Sequence, residues 1–440
     1  MKHVKGYEES KAILSRKVIP HQIVVSPNLK MTLMNMFGTD SVEKVVSLLL
    51  EKVRLNGDSA LRDLNKKIER VDLVNLEVSK DEINAAAQHL TPELSEALKT
   101  ASERVYAFHK RQFEAWCLGA QAMAPETVYR ILDSVGVYVP GGTAKYPSTV
   151  LMTALPAKAA GVRQVIMCSP PGKDGKIADI TLAAAHIAGV DRVFVTGGAQ
   201  AIAAMAFGTE SIPAVDKICG PGNVFVMEAK KQVFGTVDID GLQGPSEVLI
   251  IADSPVYAEG CAAELLAQAE HDVHAKTVLI STSEELVDKV FEIIRRQIAT
   301  LSRSEIIEQS LTNNCIVCMV DSIDQAISLS DSYAPEHLCV FSADSIAISK
   351  RIRNAGCVFV GECPTVAVGD YIAGPSHALP TSGTARFSSP LNATDFVRLM
   401  NVVNVDGNMI KELGVHAYNI ACAEGLTAHA KSALVSYKVR

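Results

Sequence analysis

The chain has 440 residues, 48% of them hydrophobic and 21% charged, with a formal net charge of -7 at pH 7. Basic residues are scattered, and pairs such as Lys230-Lys231 and Arg295-Arg296 fall inside helical stretches, so nucleic acid is excluded as an expected partner. No apolar run reaches the ~18 to 20 residues of a membrane span, and the start MKHVKGYEESK carries no apolar segment of a secretory signal, so a cytoplasmic protein of two or more packed units is expected.

In chain order, residues 41 to 116 are helical in period: VEKVVSLLLEKV, then SKDEINAAAQHL behind a Ser79 cap, then TPELSEALKTASERVYAFHKRQFEAW behind Thr91 and Pro92. His89 and His109 lie on these helices without useful neighbours and are expected to be structural. From Val135 the texture changes to short β-branched runs, Gly/Pro turns and alanine-rich helices: GVYVPGG, STVLMTALPAKAAG, RQVIMCSPPGKDG, RVFVTGGAQAIAAMAFG and KICGPGN. Strand, turn and helix in this repeat predict a parallel α/β sheet. A second set follows, with SEVLIIAD, KTVLIST, NCIVCMV and GCVFVGE separated by helices near 258–271, 284–300 and 323–330. Two doubly wound, incomplete Rossmann-like units therefore meet near Asp240 to Glu247, framed by a helical N-terminal region and a helical C-terminal tail. That tail, beyond Asp395, is too small and amphipathic to stand alone and should pack on something else.

Ten cysteines are too few and too irregular for a disulfide scaffold and fit reduced core residues. The lone CxxC, Cys315 and Cys318 in NNCIVCMVD, reads as a buried strand, with no second CxxC or nearby His to make it a zinc or redox motif.

Chemistry concentrates in short polar islands. Gln268 and His271 in LLAQAEHD are three apart, on one helical face, where they can converge on one ion or simply satisfy local structure; Asp272 and His274 read as helix-end residues. Glu336 and His337 in YAPEHL are adjacent after Pro335 and cannot share a face of regular structure. On a strand end they would point different ways into a cleft, which suits two proton-transfer jobs, a His base and a Glu activating water; the plain alternative is a surface turn. Asp370 precedes the long unperiodic segment AGPSHALPTSGTARFSSP, which includes His377, and offers a hard anionic oxygen or a turn cap. Glu424 and His429 form a last island, AEGLTAHA. Gln268, His271, Asp370 and His429 together would make a mixed N/O set suited to Zn, Mn or Co. The glycine turns TGGAQ, KICGPGN and GVYVPGG, with Gln200, Asn223 and Tyr138, suggest a nucleotide cradle without the usual GxGxxG, and Ser246 sits at the junction of the two units.

Taken in order over nearly the whole chain, GVYVPGGTAKYPSTVLMTALPAKAAGV, GGAQAIAAMAFGTESIPAVDKICGPGN, GPSEVLIIAD, LLAQAEHD, YAPEHL, GDYIAGPSHALPTSGTA and AEGLTAHA resemble the histidinol dehydrogenase family. The resemblance implies a zinc ion, one per subunit, on Gln268, His271, Asp370 and His429. It implies a base at His337 and a water-activating carboxylate at Glu336, substrate contacts at Ser246, His337, His377 and Glu424 and at the metal ligands, and NAD+ contacts at Tyr138, Gln200 and Asn223. It also implies two successive oxidations of L-histidinol, through histidinal, to L-histidine, in a homodimer whose C-terminal tails cross over to complete each other's sites. The boundaries that go with it are an arm over 1–30, a first α/β domain over 31–137 and 247–390, a second over 138–246, and the tail over 391–440. Two departures stand out: Ser436 where the family usually has Arg, and LNKKIERVDL without a Phe-Asp pair. Related enzymes oxidise other alcohols, including a sulfonated propanediol, but Glu424 would repel a sulfonate. A non-catalytic binder of the same fold is the other reading, disfavoured by the retention of both Glu336 and His337.

Overall fold

The computed structural model describes residues 1–16, 25–123, 127–141 and 145–435, side chains of 121–123 excepted. Ser436 lies outside the described residues. The strands, in chain order, are β1 (Lys2–Lys5), β2 (Thr127–Ile131), β3 (Ser134–Tyr138), β4 (Gln164–Ser169), β5 (Arg192–Val195), β6 (Lys217–Cys219) and β7 (Asp238–Ile239). They continue as β8 (Glu247–Ala252), β9 (Lys276–Ser281), β10 (Cys315–Met319), β11 (His337–Phe341), β12 (Cys357–Phe359) and β13 (Val397–Asn401). Two compact units result, one of residues 1–116 and 131–397, the other of 117–130 and 398–440.

The first unit holds two wholly parallel sheets, ordered β5-β4-β3-β6-β7 and β1-β10-β9-β8-β11-β12. Both are doubly wound: the chain steps outward from β3 and then restarts at β6, and likewise steps outward from β8 and restarts at β11. Near-continuous apolar strands such as the fully buried Glu247–Ala252 fit sheets covered on both faces. Apolar layers flank each sheet, and Cys315 and Cys318 fall in different layers because residues three apart on a strand face opposite ways. That parity removes any chelating role for the CxxC, and all ten cysteines are free.

Helix Val42–Leu64 buries Val45, Val46, Leu49 and Val53 at helical spacing against Ile202 and Met205 in the layer on the β3 to β7 sheet. Helix Lys80–Gln88, opened by the Ser79 cap with Glu82 answering it, packs on helix Asp179–Ile187. The helices of 42–88 pack on the layers around β3 to β7, because their apolar stripes match the alanine-rich helices there. The arm likewise contributes β1, paired with β10. His109 is buried against Phe108 and Gln112, and His89 is an exposed partner of Asp179.

In the second unit β2 pairs β13, and helix Gly407–Ala423 packs on helix Thr427–Ala433. Gly414 is required there, since a Cβ would stand 2.7 Å from the Ala433 carbonyl. Leu399, Val403, Val415 and Ile420 are exposed, as expected of a tail that needs a further surface. Among the described residues no helix is long and apolar enough to cross a membrane.

Gly57 breaks helix Val42–Leu64 at φ 50°, ψ -132°, and a Cβ there would fall 2.2 Å from Glu210 Oε2, the acceptor of the Asp58 N-H. Gly57→Ala is expected to destabilise the protein by about 1–3 kcal/mol in denaturant unfolding.

Candidate functional site

A helix that follows a parallel strand returns the chain to the amino edge of the sheet, so the turns after helices collect there. Helix Ala258–Ala269 carries Gln268 in its last turn and delivers His271 ahead of β9. Helix Ile323–Tyr333 ends with Ala334 in the left-handed region, φ 50°, and Pro335, and delivers Glu336 and His337 to the start of β11. Ser246 immediately precedes β8. Because β9, β8 and β11 are neighbours, three islands scattered over ninety residues meet at one edge.

Glu336 and His337 do not diverge as their adjacency suggested. Glu336 Oε2 lies 3.7 Å from His337 Nδ1, since both reach for the same residue. The Glu247 N-H donates to Glu336 Oε2 at 2.8 Å, and the Glu247 carbonyl lies 3.2 Å from His337 Nδ1. A carbonyl can only accept, so Nδ1 carries the proton and Nε2 is the exchangeable nitrogen, 3.3 Å from Asp370 Oδ1. Asp370 sits in the short turn Gly369–Ala373, whose main chain is held by His377 Nδ1-H donating to the Asp370 carbonyl at 3.0 Å. His377 Nε2 in turn faces Thr149 at 3.5 Å.

The charges are tightly coupled. Burial pushes His337 down, but Glu336 and Asp370 outweigh it and raise it to about 9. Burial raises Glu336 to about 8, against the pull of His337 and the Glu247 N-H. Asp370 is held low, because His337, His377 and His271 together overcome its burial. His271 is lowered by burial, with Asp370 opposing. His271 and Tyr371 line a cavity of about 510 Å³ with an apolar wall that includes Leu94, Leu98, Leu151 and Ile180, and Glu270, Lys145 and Arg303 also border it. Such a pocket, mostly apolar with a few convergent polar groups, is the usual form of a small-molecule site.

Gln268 is only 4% exposed and its Nε2 has no hydrogen-bond partner, and its main-chain carbonyl accepts from the His271 N-H at 3.3 Å. Among the described residues no three His, Cys, Asp or Glu side chains form a metal-holding group. Gln268, His271 and Asp370 nevertheless supply borderline N and O donors from one unit, which fits a divalent cation needing one more ligand. His429 and Glu424 are exposed residues of the second unit.

The other sheet presents its carboxyl edge. Tyr138 ends β3 and is buried; its hydroxyl accepts from the Gly198 N-H at 3.1 Å, so it props the turn that opens helix Gly198–Phe207. Gln200 on that helix is buried with Nε2 unpartnered. Asn223 caps helix Val224–Val233, accepting from the Phe225 and Val226 N-H groups. The point where strand order reverses, between β3 and β6, is where open α/β sheets bind ligands. Gly220 is needed there: at φ 119° a Cβ would lie 2.1 Å from the Tyr138 carbonyl. Buried Lys230 bonds the Gly220 carbonyl at 3.0 Å, Gln243 at 2.8 Å and Asp240, fixing this turn to the 240–246 connector.

Three site neighbours escaped sequence reasoning. Glu264, four before Gln268 on the same helical face, is buried and raised by its burial, and it accepts from the Val366 N-H; the i, i+4 spacing was its signal. Glu247 acts through its main chain, and Tyr333 through a contact with Glu247; neither type of role leaves a mark in sequence. His274 takes only a local part, its N-H bonding Asp272.

The sequence model of the histidinol dehydrogenase family matches residues 34–437. Histidinol dehydrogenase of Dehalococcoides mccartyi is 51% identical over 434 residues, 99% of each chain. That of Clostridium acetobutylicum is 46% identical over 405 residues, covering 91% of this chain and 94% of its own. The crystal structure of histidinol dehydrogenase from Elizabethkingia anophelis superposes with a TM-score of 0.86 at 32% identity, covering 98% of this chain and 97% of that one.

His337 has a folded pKa near 9 against an unfolded value of 6.5, so its contribution to stability is complete below pH 6.5 and is lost as pH rises through about 9. In metal-free protein Asp370→Asn should bring the His337 titration midpoint, followed by NMR, below that of the parent; an unchanged midpoint would refute the coupling.

Proposed function

The chain belongs to the histidinol dehydrogenase family of NAD-dependent oxidoreductases, and we propose from this that it oxidises L-histidinol, through bound L-histidinal, to L-histidine, as a cytoplasmic zinc enzyme. The observation that carries the reading is the buried pair Glu336 and His337, held by the N-H and the carbonyl of Glu247 beside Asp370, in the electrostatic reach of His271, which lines a small-molecule cavity.

His337 takes the hydroxyl proton at Nε2 in each oxidation, its Nδ1-H tied to Glu247 so that the ring neither flips nor changes tautomer. Glu336, raised to about 8, exchanges a proton with water near neutral pH and so favours hydration of the aldehyde between the two steps. The adjacency of the two residues lets one cleft run an alcohol oxidation and then an aldehyde-hydrate oxidation on a substrate that stays bound. Ser246 and His377 border the same edge and would hold the substrate's polar groups. A divalent cation on Gln268, His271, Asp370 and His429 would anchor the substrate's amine and imidazole nitrogens as a Lewis acid and offset the charge of Asp370. The nicotinamide dinucleotide, whose cradle would be Tyr138, Gln200 and Asn223, supplies the electron acceptor for both oxidations.

Glu424 and His429 would come from a second copy of the chain, making a homodimer with shared sites; the exposed apolar residues of the tail support this. An anionic Glu424 suits a cationic amino alcohol and not a sulfonated one.

The zinc-loaded protein should form two NADH per L-histidinol and lose this on chelation; absence of NADH would reject the assignment. His337→Asn should keep histidinol binding within a few-fold while kcat falls by about 10²-fold or more.

A further inference from the structure

We propose that the ion pair between half-buried Arg16 and buried Glu247 is a positioning device for the reaction, fixing the main chain of Glu247 and, through it, the tautomer of His337 and the place of Glu336. The inference rests on the assignment of His337 and Glu336 as the proton-transfer groups.

Glu247 opens β8 with its side chain wholly buried. Its Oε1 accepts from Arg16 Nη2 at 2.6 Å and from the Ser382 N-H at 3.1 Å, and its Oε2 from the Tyr333 hydroxyl at 3.3 Å. The Arg16 guanidinium also lies over the Tyr333 ring, 3.9 Å from its centre. Donors from the N-terminal arm, from the end of the helix before Glu336, and from the loop that carries His377 thus converge on one carboxylate.

An ion pair with one partner wholly buried is seldom the best way to stabilise a core, since apolar groups of the same volume do as well. What a carboxylate with three directional donors gives is a fixed orientation. Ser382, a non-glycine, adopts φ 57° in the segment that presents its N-H to Glu247, a backbone conformation disfavoured unless its surroundings enforce it. On the opposite side, the Glu247 peptide groups serve Glu336 at 2.8 Å and His337 at 3.2 Å. A tilt of that strand end would lengthen both bonds together, releasing the Nδ1-H and letting the ring take the other tautomer. Arg16 therefore acts on His337 through Glu247, though the two are 321 positions apart in the chain.

The test compares Arg16→Met and Arg16→Lys with the parent, each checked for folding by thermal unfolding and assayed well below its melting temperature. The Met variant should lose kcat on L-histidinol about tenfold or more with KM within threefold, and Lys, which keeps the charge but not the fork or the stack, should recover part of it. In metal-free protein labelled with ¹⁵N-histidine, observed above the folded His337 value of about 9 where the ring is neutral, the His337 signal should lose its Nδ1-H character in the Met variant and regain it in part with Lys. Should the Met variant not fold, the Lys variant alone decides, with a severalfold fall in kcat and a mixed tautomer expected. A folded variant with the parent's kcat and the parent's His337 tautomer overturns the proposal. The tautomer needs no turnover, so a parent protein that fails to oxidise histidinol would reject the substrate assignment while leaving this test in place.

Discussion

Two backbone groups of one residue anchor the chemistry of this fold. The N-H of Glu247 meets Glu336 and its carbonyl meets His337, and both bonds lie among buried groups. Directional bonds from a strand end are stiffer than bonds from a side chain, because moving the donor means moving the ladder that β8 forms with β9 and β11. Each element that delivers a polar residue to this edge, the helix carrying Gln268 in its last turn as much as the one ending before Ala334, is placed by the same parallel ladder. The sheet is therefore both scaffold and first constraint on the reacting groups.

The electrostatics follow from that placement. Two carboxyl groups and three imidazoles share a small volume with little solvent, so no one of them titrates alone. His337 is the residue on which the opposing influences meet: burial favours the neutral ring, and the flanking carboxylates favour the charged one. Anything positive that takes up the charge of Asp370 moves this balance toward the neutral ring, the form that can accept a proton. Ligand binding and base strength are thus linked through one carboxylate.

Much of the architecture was legible because the chain writes it locally. Alternating apolar runs and glycine turns gave the parallel sheets, the Ser79 and Thr91-Pro92 signals gave the helix starts, and the Asp240 to Glu247 junction gave the passage between sheets. The polar islands at Gln268, Glu336 and Asp370 were visible for the same reason: polar side chains in apolar surroundings are costly without a partner. What sequence did not reveal was which surfaces pair. The helix Val42–Leu64 carries an apolar stripe that would suit either sheet, and only the complementary shape of the alanine-rich helix at Gly198–Phe207 decides between them. Nor could adjacency of Glu336 and His337 show that both turn toward Glu247, since the residue just before a strand is not bound by its pleat. The Arg16–Glu247 pair was hidden by its 231-residue separation.

The connector between the sheets runs only from Asp240 to Ser246 and is tied at both ends, by Lys230 to Asp240 and Gln243 and by Thr381 to the Gly244 N-H. Seven residues span ~25 Å at most even when fully extended, and a tethered connector spans less. Hinge bending, by which many two-lobed proteins swallow and release their ligands, has no free joint here. A swing of one sheet against the other about this connector would have to break those bonds, so small molecules are expected to enter and leave past the side chains and turns that rim the cavity at His271 and Tyr371.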